Sequence, residues 1–268
     1  MKENKIIFVT GATSGFGLSI ANRLVSEGHK VYGTSRNPSK INVRLDFELL
    51  QLDVTSDESV KRCIQGLLSK APTIDVVVNN AGMAVVGAIE ETSIDQAKLQ
   101  LETNFWGSVR VTKEILPVLR RQRQGHIINI GSLAGLIGVP FQGFYSASKH
   151  ALEGYTKSLR FELEPFNIKL TLIEPGFFRT NLQHSSVSAA EKVVDYDSIR
   201  PKVLKALSDS IEHAPSPEIV ANLVSKVLRS KNPKFKYRVG NDSKFLPILN
   251  FFFPRLFEFG AKRKFHLM

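Results

Sequence analysis

The feature that constrains this chain most is a run of small residues placed directly after its first apolar segment. Lys5 to Thr10 reads as a buried strand, and Phe16 to Glu27, closed by Gly28, reads as a helix. Between them stands Thr10-Gly11-Ala12-Thr13-Ser14-Gly15-Phe16-Gly17, a G-x-x-x-G-x-G spacing. Glycines there permit a tight turn and a close backbone approach to a pyrophosphate, and the start of the helix adds N–H donors and the positive end of its dipole. Strand, glycine turn and helix in that order are the context such a loop needs.

The rest of the chain repeats the alternation. Strands are expected at Val31–Arg36, Leu49–Val54, Ile74–Asn79, His126–Ile130, Ile168–Ile173 and Lys236–Val239. A helix after Val54 is expected to open with a capping box of Thr55 and Glu58. A long helix over Ser93–Gln122, with Pro117 near its end, and another over Gly143–Pro165 complete the pattern. Strands apolar throughout, each followed by a helix, imply a parallel sheet covered on both faces. The expected fold is therefore α/β, a single-domain Rossmann-type doubly wound parallel sheet of about seven strands spanning residues 1–268. The pattern loosens between Thr180 and Pro217, so residues 181–216 are expected to form a substrate lid or a poorly ordered loop, and residues 241–268 an apolar tail.

Composition removes several function classes. Cys63 is the single cysteine and the six histidines are scattered, so neither an intramolecular disulfide nor a metal cluster is expected, and His126 and His150 are read as structural. Ile6–Val9 is too short for a signal peptide, and no apolar run reaches the roughly 18 residues of a spanning helix. The expectation is a cytoplasmic protein, with a peripheral membrane contact left open. The net charge of +11 is spread, with small clusters at Arg120, Arg121 and Arg123 and at Lys262, Arg263 and Lys264, and no nucleic-acid motif accompanies it. Nucleic acid is not an expected partner.

Tyr145 and Lys149 stand four apart on an expected helix and so share a face. An ammonium near a phenol favours the phenolate and suits the tyrosine to acid–base work. Ser132 closes the fifth strand, within reach of a substrate oxygen, and Asn104 is a polar residue in mid-helix. Asn79 and Asn80 stand at a strand end; Asp53 is either a ligand contact or a helix cap.

Together these stretches resemble the short-chain dehydrogenase/reductase family over about residues 5–180. Gly11, Thr13, Ser14, Gly15, Phe16 and Gly17 match its cofactor loop, and Asp53, with Val54, its adenine contact. Asn79-Asn80-Ala81-Gly82 matches its NNAG motif; Asn104, Ser132, Tyr145 and Lys149 match its catalytic four; Pro175-Gly176, with Phe178 and Thr180, matches its nicotinamide contact. The resemblance implies a nicotinamide cofactor, a proton-relay water held by Asn104, and a second role for Lys149 at the nicotinamide ribose. The second strand ends Thr34-Ser35-Arg36, and no acid lies between Lys30 and Asp46. An acid there commonly serves NAD, whereas Ser35 and Arg36 suit a 2′-phosphate, so the expected cofactor is NADP(H).

Phe141, Phe144, Phe177 and Phe178 flank the catalytic and nicotinamide stretches and suggest an apolar pocket. The overall look resembles hydroxysteroid- and retinol-dehydrogenase-like members, which implies a lipophilic ketone, aldehyde or alcohol as substrate. A 3-oxoacyl thioester reductase and a non-catalytic NADP-binding redox sensor are the competing readings. In the tail, Pro247 and Pro254 are expected to bracket a short amphipathic element containing Phe251, Phe252 and Phe253. Pocket cover, a subunit contact within a homo-oligomer and a membrane contact all remain open for it.

Overall fold

The computed structural model describes residues 4–180 and 186–268. Seven parallel strands form the central sheet in the order β3-β2-β1-β4-β6-β7-β9. These are β1 Ile6–Val9, β2 Lys30–Ser35, β3 Glu48–Gln51, β4 Val76–Asn79, β6 Gly125–Ile130, β7 Ile168–Pro175 and β9 Lys236–Val239. Strand β1 pairs with β2 on one side and β4 on the other, Ile7 lying opposite both Val31 and Val76. The chain thus reverses direction across β1 and leaves a crevice at the carboxyl ends of β1 and β4, where open α/β sheets take their ligands. The doubly wound fold expected from the alternation is the one observed.

Successive strand residues point to opposite faces, which gives the sheet two cores. Ile7 and Val9 pack with Ile20 and Leu24 of α1 (Gly15–Ser26) and with Val220 and Val224 of α7 (Glu218–Arg229). Phe8 faces the other way, toward Ile64 of α2 (Asp57–Lys70), Ile115 of α4 (Gly107–Gln122) and Leu159 of α5 (Gly143–Leu163). A third cluster, around Leu133, Ile137, Val203, Leu207 and Phe265, lies where the later helices meet the end of the sheet.

Several boundaries differ from expectation. Helix α2 is capped by Ser56, whose hydroxyl accepts from the Ser59 N–H, because Thr55 is held by Asp53 Oδ1 through both its N–H (3.0 Å) and its hydroxyl (2.7 Å). The capping box falls instead at Ser93 and Gln96, at the head of α3 (Ile94–Leu101). The long central helix carries a π-turn at Glu102–Trp106 between α3 and α4. In the lid stretch, residues 181–185 lie outside the described residues; beyond them β8 (Val187–Ser188) pairs with β5 (Val85–Val86), and α6 runs from Arg200 to Glu212. That helix exists because Val203 and Leu207, one turn apart, are both buried in the third cluster. The tail forms α8 (Asn241–Phe252) and α9 (Pro254–Lys264). Pro247 does not bracket an element; it lies inside α8, while Pro254 opens α9, where a missing N–H costs nothing.

Candidate active site

The glycine loop is held by side chains that reach across the crevice. Thr10 Oγ1 accepts from the N–H groups of Asn80 and Ala81, each at 2.9 Å. Asn80 Nδ2 donates to the carbonyls of Thr10 (2.9 Å) and Gly11 (3.1 Å), and Gly11 N–H donates to Thr34 Oγ1 at 3.2 Å. Gly11 and Gly15 have φ of +65° and +52°, backbone that side-chain-bearing residues rarely adopt. A Cβ on Gly17 would stand 2.1 Å from the Gly11 carbonyl oxygen, so this turn closes only without one. Helix α1 starts with no side-chain cap from Ser14 and no acid in its first turn, which leaves its N–H end suited to an anion.

A groove of about 540 Å³ runs from this loop in two directions. Gly11, Thr13, Ser14, Gly15 and Phe16 line its middle. At one end stand Ser35, Arg36, Asp53 and Val54, as expected, and also Asn37, Lys40 and Ile41, which the sequence reading missed. Lys40 was legible in principle, as a second cation in the acid-free stretch after β2. Arg36 is exposed, and Asp53 is the one acid lining the groove among the described residues. Asp53 gives Oδ1 to Thr55 but does not cap α2, which removes the cap as its explanation. At the other end Ala81, Gly82, Tyr145, Lys149 and Thr180 close the groove. The shape, the glycine cradle and the helix end fit a nicotinamide dinucleotide.

Tyr145 and Lys149 face this end from α5, and Ser132, on the turn after β6, lines the adjoining cavity that Tyr145 also borders. Burial holds the Tyr145 phenol above its ordinary pKa, outweighing the opposite pull of the Ser132 hydroxyl. Lys149 donates from Nζ to the Ile130 carbonyl at 2.9 Å, and its Nζ is 5.9 Å from the centre of the Tyr145 ring. Burial pushes its ammonium down to about 8. The expected drop in the tyrosine pKa is therefore not present in the protein alone, because burial raises it and the one opposing influence is Ser132 rather than Lys149. Asn104 sits in the π-turn and lines neither cavity. Its Nδ2 donates to the Met83 carbonyl (3.0 Å) and Ser148 Oγ (3.1 Å), and its Oδ1 accepts from Met83 N–H (2.8 Å), which uses both amide hydrogens within the protein.

A second cavity, about 80 Å³, adjoins the groove and shares Phe16, Gly131, Tyr145 and Thr180 with it. Ser132, Pro175, Gly176, Phe177 and Phe178 line it, together with Val139 and with Ile211 of α6. Pro175, Gly176 and Phe178 thus border this cavity rather than the groove. Phe178 is buried and meets Phe16 edge-on, ring centres 5.5 Å apart. A Cβ on Gly176 would collide with the Asp242 carboxylate, which accepts from Phe177 N–H at 2.6 Å. Asp242, at the head of α8, thereby ties the tail to the pocket, and nothing local in the sequence marks it. Phe141 packs in the third cluster beside Tyr196, and Phe144 lines neither cavity.

Asn79 is structural: its Nδ2 donates to Thr112 (3.1 Å) and Asn129 (2.9 Å) inside the core. His126 is buried 2.9 Å from Thr171 Oγ1, its pKa pushed down to about 3 by burial, and His150 Nδ1 lies 2.9 Å from the Ser146 carbonyl. Among the described residues no cluster suits a metal ion, and no helix is long and apolar enough to cross a membrane.

Comparison with known proteins agrees with this geometry. The short chain dehydrogenase family pattern matches residues 5–191. A 3-ketodihydrosphingosine reductase of Bacteroides thetaiotaomicron is 40% identical over 242 residues, 89% of this chain and 88% of that protein. Retinol dehydrogenase 8 of Bos taurus is 34% identical over 265 residues, covering 91% of this chain and 84% of its own. The crystal structure of a short-chain dehydrogenase from Streptomyces avermitilis superposes with a TM-score of 0.83 at 30% identity, covering 98% of this chain and 97% of that one.

Proposed function

The chain belongs to the short-chain dehydrogenase family of oxidoreductases, and on that premise we propose that it is an NADP(H)-dependent reductase of a lipophilic ketone or aldehyde. The observation that carries the reading is the junction of the two cavities. The Tyr145 phenol and Ser132 hydroxyl stand where a cofactor-shaped groove opens into an apolar pocket. Arg36 and Lys40 at the far end of the groove, with no acid between Lys30 and Asp46, favour a 2′-phosphate.

Gly11, Ser14, Gly15, Arg36 and Lys40 would hold a nicotinamide dinucleotide in the groove, where it would supply a hydride to the carbonyl carbon. Tyr145 gives its phenolic proton to the carbonyl oxygen, and the raised pKa of the phenol keeps it protonated and ready for reduction. Ser132 orients that oxygen by a hydrogen bond. Lys149, the cation nearest the ring, lowers the cost of the phenolate left behind and holds the ribose hydroxyls of the cofactor. The Asn104 side chain is committed to Met83 and Ser148 and its main-chain carbonyl accepts from the Ser108 hydroxyl at 3.4 Å, so Asn104 acts by holding the segment around Met83 beside the groove. Phe16, Phe177 and Phe178 keep bulk water from the reacting atoms.

The relatives direct the choice of substrate. One is named for 3-ketodihydrosphingosine and one for retinol, both long apolar molecules carrying one oxygenated carbon to be oxidised or reduced. NADPH consumption measured over a panel of 3-ketodihydrosphingosine, retinal, steroid ketones, 3-oxoacyl thioesters and small diketones tests the reading. Turnover concentrated on the long-chain ketones or retinal supports it. Turnover of thioesters alone replaces it with a 3-oxoacyl reductase, and NADPH binding without turnover of any member replaces it with a redox sensor.

A further inference from the structure

Helices α8 and α9 turn an unusual surface outward. Ile248, Phe251, Phe252, Phe253, Leu256 and Phe259 each expose between 51% and 78% of their area. Helix α9 buries no residue at all. Exposed large hydrophobes elsewhere are separated along the chain, as at Val43, Trp106 and Phe161, which is ordinary for a protein surface. Here six fall within 12 residues on two helices that pack against each other.

The opposite side of the same helices is not free. Leu246, Phe257, Phe265 and Leu267 pack into the third cluster with Val203 and Leu207 of α6 and with Leu133, next to Ser132. Asp242 holds Phe177 N–H, and Lys264 Nζ stands 4.9 Å from the centre of the Phe177 ring. The inner side of the tail therefore packs behind Leu133 and Phe177, two residues of the pocket wall, while the outer side shows apolar rings to the surroundings.

Charge identifies the occupant. Lys244, Arg255, Lys262 and Arg263 are all exposed on these two helices, and Glu258 is the one exposed acid with them. A second copy of this chain, which carries +11 overall, would bring like charges together across such a face. An anionic bilayer satisfies both features: rings enter the acyl boundary while lysine and arginine meet the headgroups. Helices of 12 and 11 residues are too short to span a bilayer, so they lie in its surface.

We propose that α8 and α9 form a docking surface for an anionic lipid bilayer, packed behind the Leu133 and Phe177 wall of the substrate pocket, so that the pocket is held close to a membrane that dissolves a lipophilic substrate. The docking surface itself stands independently of the proposed reaction, since vesicle binding needs no turnover.

The full-length protein is sedimented with sucrose-loaded vesicles of phosphatidylcholine, with and without phosphatidylglycerol. Wild type is expected to follow the anionic vesicles and to be released by salt. Lys262→Gln/Arg263→Gln is expected to weaken partitioning roughly thirtyfold, at about fivefold per cation. Phe252→Ser/Phe253→Ser is expected to weaken it about tenfold or more through lost apolar burial. Both pairs are exposed, and thermal melting together with NADPH binding confirms that each variant is folded. Wild type left in the supernatant with anionic vesicles overturns the proposal, as does equal partitioning of wild type and both variants. Sedimentation equilibrium supplies the remaining outcome: a dimer that Phe252→Ser/Phe253→Ser dissociates, with no vesicle binding, gives the surface to self-association instead. Reduction of a water-soluble ketone, followed separately, reports on the reaction alone.

Discussion

The cofactor half of the molecule and the substrate half are held together in different ways. Around the glycine loop almost every contact is directional: Thr10, Asn80 and Thr34 bond named backbone atoms at 2.9–3.2 Å. Around the pocket, apolar packing among Leu133, Val203, Leu207 and Phe265 does most of the holding, with Asp242 as a polar pin. A dinucleotide is a flexible string of charges and hydrogen-bonding groups, so its site must supply fixed, directional partners to hold one conformation. An apolar chain is recognised by area, which helices provide without fixed angles. The family pattern ends at residue 191, close to where the first kind of construction gives way to the second.

Four measurements break or sharpen this contrast. Tyr145→Phe sits at the boundary, where both halves meet. It is expected to lower kcat by about 10²–10⁴-fold, because it deletes the proton donor and keeps the ring, with NADPH affinity unchanged. Steady-state kinetics beside a fluorescence titration of NADPH check both parts. A large loss of affinity would show that the halves are not separable at this residue.

Arg36→Ala and Lys40→Ala belong wholly to the cofactor half. Each is expected to weaken NADPH by about ten- to a hundredfold, the worth of a charge-assisted hydrogen bond to phosphate, and to leave NADH nearly unchanged. Their KM for an apolar ketone, measured at saturating NADPH, should not move. Equal wild-type affinity for NADH and NADPH, read in the same titration, defeats the assignment of this end to a 2′-phosphate.

NADPH affinity should also depend on pH. Lys149 is held down to about 8 by burial, so it is an ammonium below that pH and neutral above it. If the ammonium holds the ribose, affinity is steady below about pH 8 and weakens above it, approaching tenfold per pH unit. Lys149→Met should bind weakly with no such bend. A wild-type profile flat from pH 7 to 10 would free Lys149 from that role.

The smallest effect is expected from Asp242→Ala, in the substrate half. It removes the acceptor of the Phe177 N–H and loosens the tail, which costs about 1–2 kcal/mol in a thermal or denaturant melt. KM for a long apolar ketone should rise several-fold while NADPH affinity stays the same. A change in NADPH affinity instead would place the tail on the cofactor side of the divide.

The sequence by itself determined the seven strands of the central sheet, the helices as far as α5, the glycine loop, and the two positions Tyr145 and Lys149 on one helical face, but neither α6 nor α7. Each of those is written in neighbouring residues: an apolar run, a glycine spacing, a separation of four. Lys236–Val239 is read correctly to the residue for that reason. Tertiary structure alone decided what joins residues far apart. Asn80 turns back to hold Thr10 and Gly11, some 70 residues away, and Gly176 must be bare because Asp242 arrives from the tail. Helix α6 was obscured because its buried stripe is narrow, Val203 and Leu207 among charged neighbours, and gains its stability only when the third cluster closes over it. The fate of the tail was undetermined for the same reason. A contiguous run Phe251-Phe252-Phe253 does not say which rings meet the core, and the answer, that all three stay exposed, depends on which tail residues the third cluster has already claimed.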